Sequence, residues 1–219
     1  MNNLFLSLFS LFFPSQCINC GIEISFKEKL VCYGCMSKIK WTNHLEKEIR
    51  FQIIQLINVP NVIDANGFFI FEKEGVEQNL IHRLKYEHSK NTGFILGREF
   101  GQKVKKKIHK SSIEFLIPVP THYRKKFDRG YNQSETIARG LSKELNIPAS
   151  SKLVAKIKNT TSQTKLNKEE RTKNIQGSFI CAAQFRNINS IGVVDDVITS
   201  GSTIKELCRS IVEINCSIR

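Results

Sequence analysis

A short apolar strand that runs straight into two acids and a loop of small hydroxyl residues constrains this chain more than any other feature. The run is Val193-Val194-Asp195-Asp196-Val197-Ile198-Thr199-Ser200-Gly201-Ser202-Thr203. The strand itself, Ile191-Gly192-Val193-Val194, is apolar throughout, as a strand covered on both faces must be. It delivers two carboxylates to the carboxyl edge of a sheet, where α/β folds place their ligands. The backbone N–H groups of Thr199 to Thr203 are suited to wrap an anion, the hydroxyls add donors, and the helix that follows points its positive end at the same spot. Acids beside a phosphate cradle make sense for a sugar phosphate: the loop takes the phosphate and the carboxylates accept hydrogen bonds from ribose hydroxyls. A turn-rich strand end with two solvated aspartates would explain Asp-Asp alone but not the whole run.

The remaining chain supplies the alternation such a fold needs. Leu45, Ile49, Ile53 and Leu56 recur at helical spacing from Asn43, where Asn43 and Glu46 resemble a capping box, and Pro60 ends that helix. Phe68 to Phe71, after Asn66-Gly67, predicts a strand. Val76, Leu80, Ile81 and Leu84 predict a helix, and another follows from about Gly93. Phe115 to Pro120 reads as a buried strand stopped by its prolines. A helix from about Asn132 to Leu145 turns Ile137, Ala138, Leu141 and Leu145 inward, and Pro148 closes it. Residues 158–174 are polar, basic and aperiodic, the character of a functional loop. A last helix carries Ile204, Leu207, Cys208 and Ile211. Strands alternating with helices predict a parallel α/β sheet with helices on both faces.

Cys17, Cys20, Cys32 and Cys35 form C-x2-C-x11-C-x2-C, while Cys181, Cys208 and Cys216 are scattered. An odd total of seven cysteines, with no export signal, argues against a disulfide framework. Each C-x2-C turn aims two thiolates at one ion, and the intervening residues bring the second pair round, as tetrahedral zinc requires. Gly21 and Gly34 stand where such turns call for glycine. A redox pair or inert reduced thiols would explain one C-x-x-C but not two at this separation. Cys208 lies on an apolar helical stripe and belongs to the core.

The N-terminal run MNNLFLSLFSLFF lacks Lys and Arg and a small-residue cleavage site, and Pro14 and Cys17 follow at once. It is too short to span a bilayer, which takes about 20 residues. Leu4, Leu8, Leu11 and Phe12 share one helical face, so a short helix packed on the domain is expected, with a peripheral membrane contact as the alternative. No other segment is a transmembrane candidate, and a cytoplasmic location is expected. The 219 residues suit one ordinary domain plus a small appendage: 1–41 as N-terminal helix and metal module, 42–219 as the α/β domain. A formal charge of +13, from 33 Lys+Arg against 20 Asp+Glu, points to an anionic partner or to a generally basic, solubilising surface.

The run 193–203 resembles the phosphoribosyl pyrophosphate signature of type I phosphoribosyltransferases. Further segments resemble the ComF branch: the four cysteines after Leu-Phe-Phe-Pro, Leu80-Ile81-His82-Arg83-Leu84-Lys85-Tyr86, Ile117-Pro118-Val119-Pro120, Arg129-Gly130-Tyr131-Asn132-Gln133, and Gln163-Thr164 through Glu170-Arg171, Asn174 and Gly177. The resemblance covers nearly the whole chain, in order. It implies a type I phosphoribosyltransferase-like sheet and a structural zinc. It also implies phosphoribosyl pyrophosphate bound with Mg²⁺. Asp195 and Asp196 would hold the ribose hydroxyls, and Thr199, Ser200, Gly201, Ser202 and Thr203 the 5′-phosphate. Residues from Thr121 would form the pyrophosphate-side loop, and 160–174 a closing loop. Family members carry one further strand after the last helix; here the chain stops at Cys216-Ser217-Ile218-Arg219, where that strand would begin.

Phosphoribosyl transfer passes through a cationic sugar as pyrophosphate leaves, so cations at the pyrophosphate and exclusion of water are the expected devices. Arg124, Lys125, Lys126 and Arg129 suit the first task. The loop bearing Lys165, Lys168, Arg171 and Lys173 suits the second as a lid. Each of these basic residues taken singly also reads as a solvated surface charge. No segment reads as a nucleobase pocket, so two functions stand open. One is a phosphoribosyltransferase acting on an unidentified acceptor. The other is a non-catalytic accessory of DNA uptake that handles single-stranded DNA and senses phosphoribosyl pyrophosphate. The family's association with DNA uptake makes single-stranded DNA and DNA-uptake proteins the expected partners. Lys103, Lys105, Lys106, Lys107 and Lys110 are candidate strand contacts, or simply a solvated helix face.

Overall fold

The computed structural model describes residues 15–24, 30–42, 46–86, 89–108, 113–159 and 174–219. The expected N-terminal helix, the Asn43 cap, Lys110 and nearly all of the 160–174 loop lie outside the described residues. The four cysteines sit on two turns and a four-residue helix α1 (Tyr33–Met36). Three longer helices follow: α2 (Glu46–Ile57), α3 (Val76–Tyr86) and α4 (Lys90–Val104). The cysteine module has no separate core. Ile24, Val31 and Ile39 pack with Val76, Leu80 and Leu96 from α3 and α4.

Strand β1 (Phe115–Pro118) leads through a seven-residue helix α5 (Tyr123–Arg129) into α6 (Gln133–Leu145). Strands β2 (Val154–Lys156) and β3 (Phe179–Cys181) flank the undescribed loop. Then come a 3₁₀ turn at Ala183–Asn187, strand β4 (Ile191–Val194) and helix α7 (Ser202–Val212). β1 and β4 pair in parallel, from Phe115 against Ile191 to Pro118 against Val194, so both carboxyl ends open on one edge. Leu116 adds a parallel bridge to Ala149 on the other side of β1. On the outer flank of β4, Ile191 N–H donates to the Arg219 carbonyl at 2.8 Å, and Arg219 N–H to that of Asn189 at 2.9 Å.

Strand alternation puts helices on both faces of this pair, as expected. Leu116 turns toward Ile137, Leu141 and Leu145 of α6, while Ile117 turns toward Ile204, Leu207 and Ile211 of α7. α4 and α6 approach backbone to backbone: a Cβ on Gly140 would stand 2.2 Å from the Phe94 carbonyl oxygen, and one on Gly97 would stand 2.1 Å from that of Ile137. This contact fixes the N-terminus of α6 under the edge where β1 and β4 end.

Among the described residues the parallel pairing comprises β1 and β4, and β2 and β3 form a separate antiparallel pair. Two expectations need correction. Phe68 to Phe71 is not a strand but a single bridge, Trp41 to Phe69. Its neighbouring rings stack instead, with Phe68 at 5.0 Å from Trp41 and 5.2 Å from Phe100 between centroids. Gly34 lies inside α1 at a negative φ, so no left-handed turn demands it, whereas Gly21 does adopt φ +74°.

Candidate functional site

The four cysteine sulfurs lie within 4.8 Å of one another. Zinc–thiolate bonds of about 2.3 Å set tetrahedral S···S edges of roughly 3.8 Å, and Cys20 Sγ lies 3.7 Å from Cys32 Sγ. Backbone and side-chain donors address the sulfurs: Cys32 N–H to Cys17 Sγ at 3.3 Å, Cys35 N–H to Cys32 Sγ at 3.4 Å, and Asn19 Nδ2 to Cys35 Sγ at 3.2 Å. Donors of this kind stabilise thiolates bound to a cation. Burial works against the Cys17 thiolate, but N–H groups from Cys20, Cys32 and Asn19 outweigh it and bring the thiol down to about 6. Burial pushes Cys35 up to about 12 without a metal. The donor set and spacing therefore fit a closed, four-sulfur metal site. Asn79 of α3 donates to Asn19 Oδ1 at 2.9 Å, tying this module to the domain.

The second cluster stands where β4 ends. Asp195 Oδ1 accepts from Ser134 Oγ, in the first turn of α6, at 3.0 Å, and from Asp196 N–H at 2.9 Å. Asp196 turns the other way: Oδ1 accepts from Val197 N–H at 3.0 Å, and Oδ2 lies 3.9 Å from Lys85 Nζ on α3. Burial, then the neighbouring Asp196 charge, raise the Asp195 carboxyl well above its usual range. The loop next to these acids turns at Gly201, φ +70°, and delivers Ser202 as the first residue of α7. A Cβ at Gly201 would also meet Leu56 Cγ of α2 at 2.8 Å, so glycine is required twice. Ser200 and Ser202 hydroxyls lie 3.0 Å apart, and the α7 N-terminus has no side-chain cap of its own. The positive end of the α7 dipole therefore faces this loop, where a negative charge is favoured.

The carboxyl end of β1 forms the neighbouring wall. Thr121 Oγ1 donates to Asn132 Oδ1 at 3.1 Å, and Asn132 Nδ2 donates to the Val119 carbonyl at 3.0 Å, which pins this turn to α6. Lys125 is half-buried; burial, then the Arg129 charge, lower its pKa. Lys156, at the end of β2, is brought down to about 8 by burial and by Lys125, against the opposing pull of Asp195. Lys125, Lys156 and Asp195 therefore share one electrostatic neighbourhood. Arg124 is exposed, and its Nε donates to the Tyr123 hydroxyl at 3.2 Å.

Lys85, Ser134 and Lys156 were not picked out as site residues from sequence. Lys85 stands in the Leu80–Tyr86 segment but carries no local signal of its partner, and Ser134 and Lys156 meet the acids only through the fold. The candidate strand contacts on α4 are partly engaged elsewhere. Lys103 Nζ sits 3.7 Å from the Trp41 ring centre, and Lys107 pairs with Glu46. A cavity of about 760 Å³ lies off this site, between α2 and α7 along β4, lined by apolar groups such as Ile53, Val193, Ile204 and Ile211. Among the described residues no helix is long and apolar enough to cross a membrane.

Competence protein F of Haemophilus influenzae is 27% identical to this chain over 208 residues, covering 90% of this chain and 91% of that protein. The DNA utilization protein YhgH is 26% identical in Salmonella typhimurium and 27% in Escherichia coli, over 133 residues in each case. Those alignments cover 59% of this chain and 58% of each relative, so the chain matches a little over half the length of these proteins. No protein-family profile matches the chain, and no solved structure matches it.

Proposed function

The chain belongs to the ComF family, and from that premise we propose that it serves DNA uptake as a phosphoribosyl pyrophosphate-binding protein with a type I phosphoribosyltransferase-like domain. The observation that carries this reading is the convergence at the end of β4. Asp195 and Asp196 stand beside a glycine turn and the N-terminus of α7, a diol acceptor next to a phosphate donor set. Asp195 and Asp196 hold the ribose hydroxyls. Thr199, Ser200, Gly201, Ser202 and Thr203 cradle the 5′-phosphate. Thr121, Arg124 and Lys125 serve the pyrophosphate, with Lys156 beside them. Mg²⁺ brought in with the ligand offsets the repulsion between its charges and the two acids, a task Lys85 already shares at Asp196. Residues 1–41 are the zinc module and 42–219 the ligand-binding domain, acting in the cytoplasm.

On the first reading the site transfers phosphoribose to an acceptor and releases pyrophosphate. On the second it only senses the ligand while the protein handles single-stranded DNA, a reading favoured by the four basic residues among the seven of α5. Pyrophosphate release, assayed with a panel of bases and amines, separates the two. The site itself is tested by thermal shift. Phosphoribosyl pyrophosphate with Mg²⁺ raises Tm in proportion to the logarithm of its concentration over Kd. Asp195→Ala together with Asp196→Ala loses the preference for this ligand over inorganic pyrophosphate. Equal shifts for both ligands in both proteins would reduce the site to a general anion hole.

A further inference from the structure

Helix α3 and the short helix α5 are bridged at their C-terminal ends: the Arg129 guanidinium carbon lies 5.8 Å from the centre of the Tyr86 ring. Tyr131, just past α5, donates its hydroxyl to the Leu84 carbonyl, which fixes the last turn of α3 against this corner. Tyr86 is nonetheless 61% exposed, although the His82 ring lies 4.8 Å from it. On α5, Tyr123 and Phe127 are one turn apart on the outer face and are 66% and 87% exposed. Leaving these rings in water is unfavourable unless something covers them.

The chemistry around the rings narrows what that is. All three large hydrophobic residues exposed on these two helices are aromatic; neither helix exposes an aliphatic one. Basic residues alternate with the rings: Arg124, Lys125, Lys126 and Arg129 against a single acid on α5, and Lys85 in the last turn of α3. Rings that accept any base and cations that follow a phosphate backbone are the two parts of a surface that binds single strands without sequence preference. Helix α4 and the described lysines after it carry no exposed ring, and the chain's one indole, Trp41, is already covered by Lys103.

We propose that single-stranded nucleic acid binds across the α3–α5 corner, its bases stacking on Tyr86, Tyr123 and Phe127 and its phosphates following the α5 cations. The surface rests on the DNA-handling role proposed above and adds to it the residues that perform it. Lys85, the residue before Tyr86, lies 3.9 Å from Asp196, so this surface adjoins the acids at the end of β4.

The test is fluorescence anisotropy of a labelled oligothymidine with the full, zinc-loaded chain at low and moderate salt. Stacking on one ring is worth enough that Tyr86→Ala or Phe127→Ala should each weaken binding about fivefold or more. Ile180→Ala, an equally exposed apolar change on β3, should leave it unaltered. Tyr86→Trp should retain affinity and Tyr86→Leu should not, which separates stacking from mere apolar contact. Arg124→Gln should flatten the salt dependence. Because the three rings are exposed, the variants keep the wild-type Tm. A Tyr86→Ala, Phe127→Ala double variant that binds like wild type would overturn this surface while leaving the DNA role standing. Wild type that binds no strand at low salt would overturn the DNA role itself. Binding of anionic vesicles that the same substitutions abolish, with oligothymidine unaffected, would reassign the rings to a membrane surface.

Discussion

Asp195 places a carboxyl where the fold least favours a charge. Burial and the Asp196 charge raise its pKa in the folded protein, so the folded state holds a proton that the unfolded chain has released. Stability attributable to this group therefore falls as pH rises from the ordinary carboxylate range through the folded value. Asp195→Asn removes the charge and keeps an oxygen for Ser134 Oγ and the Asp196 N–H. The expected outcome by calorimetry is a gain of roughly 2–4 °C in Tm at neutral pH, shrinking in acid, together with loss of most of the phosphoribosyl pyrophosphate shift. A lower Tm at neutral pH would mean that this carboxylate is not a functional cost. Lys156 shows the complementary effect. Its pKa is depressed from 10.5 to about 8, so stability rises with pH across that window, where the unfolded chain binds the extra proton. An anion bound at the ammonium reverses the depression. Binding of phosphoribosyl pyrophosphate should then take up a proton near pH 8.5 and weaken as pH climbs further. Titration calorimetry in two buffers of different ionisation enthalpy should detect that uptake in wild type and not in Lys156→Gln.

The turn into α7 carries the proposed phosphate cradle, and its geometry leaves one residue type free to occupy position 201. Gly201→Ala sets a side chain at φ +70° and drives its Cβ to 2.8 Å from Leu56 Cγ. The expected cost is about 1–3 kcal/mol in denaturant unfolding, with a parallel loss of ligand-induced stabilisation. Combining it with Leu56→Ala should recover the steric part but not the backbone part. This element was legible in the sequence because everything that defines it is local: a four-residue apolar strand, two acids, a glycine and a strong helical period. α3, α6 and β1 were legible for the same reason. α5 was not, since its seven residues bury no side chain and so show no apolar stripe. β2 and β3 were missed because three-residue strands carry little pattern and their pairing joins segments far apart in the sequence. The Phe68–Phe71 run misled because aromatic residues favour strands and ring clusters alike, and here the rings face Trp41 and Phe100. The same limit applies within the site. Asp195 and Asp196 announce themselves, but Ser134 reaches Asp195 across 61 residues, a contact only the tertiary structure makes.

At the scale of the whole molecule, α3 joins the metal module to the ligand site. Near its start the buried Glu77 accepts the Lys40 N–H at 2.7 Å, and Asn79 holds Asn19, which in turn addresses the Cys35 sulfur. Val76 and Leu80 seat Ile24, Val31 and Ile39 of the module. Six residues on from Asn79, about 9 Å along the helix, Lys85 meets Asp196. Without a cation only the N–H···S bonds and the apolar packing on α3 hold the four sulfurs together, so the module's grip on α3 is expected to loosen. Lys85 then loses its fixed position, and Asp196 loses a neighbouring charge that lets a polyanionic ligand approach. Protein purified without chelator should contain about one zinc per chain. Its removal, or Cys20→Ser, should lower Tm and weaken phosphoribosyl pyrophosphate binding about fivefold or more. Thermodynamic linkage makes the effect reciprocal, so saturating ligand should tighten zinc by the same factor in competition with a chromophoric chelator. Lys85→Met should abolish that reciprocity while leaving zinc affinity in the absence of ligand unchanged. Should the metal-free protein bind the ligand as well as the zinc form does, α3 is only a packing element, and the module folds beside the site without influencing it.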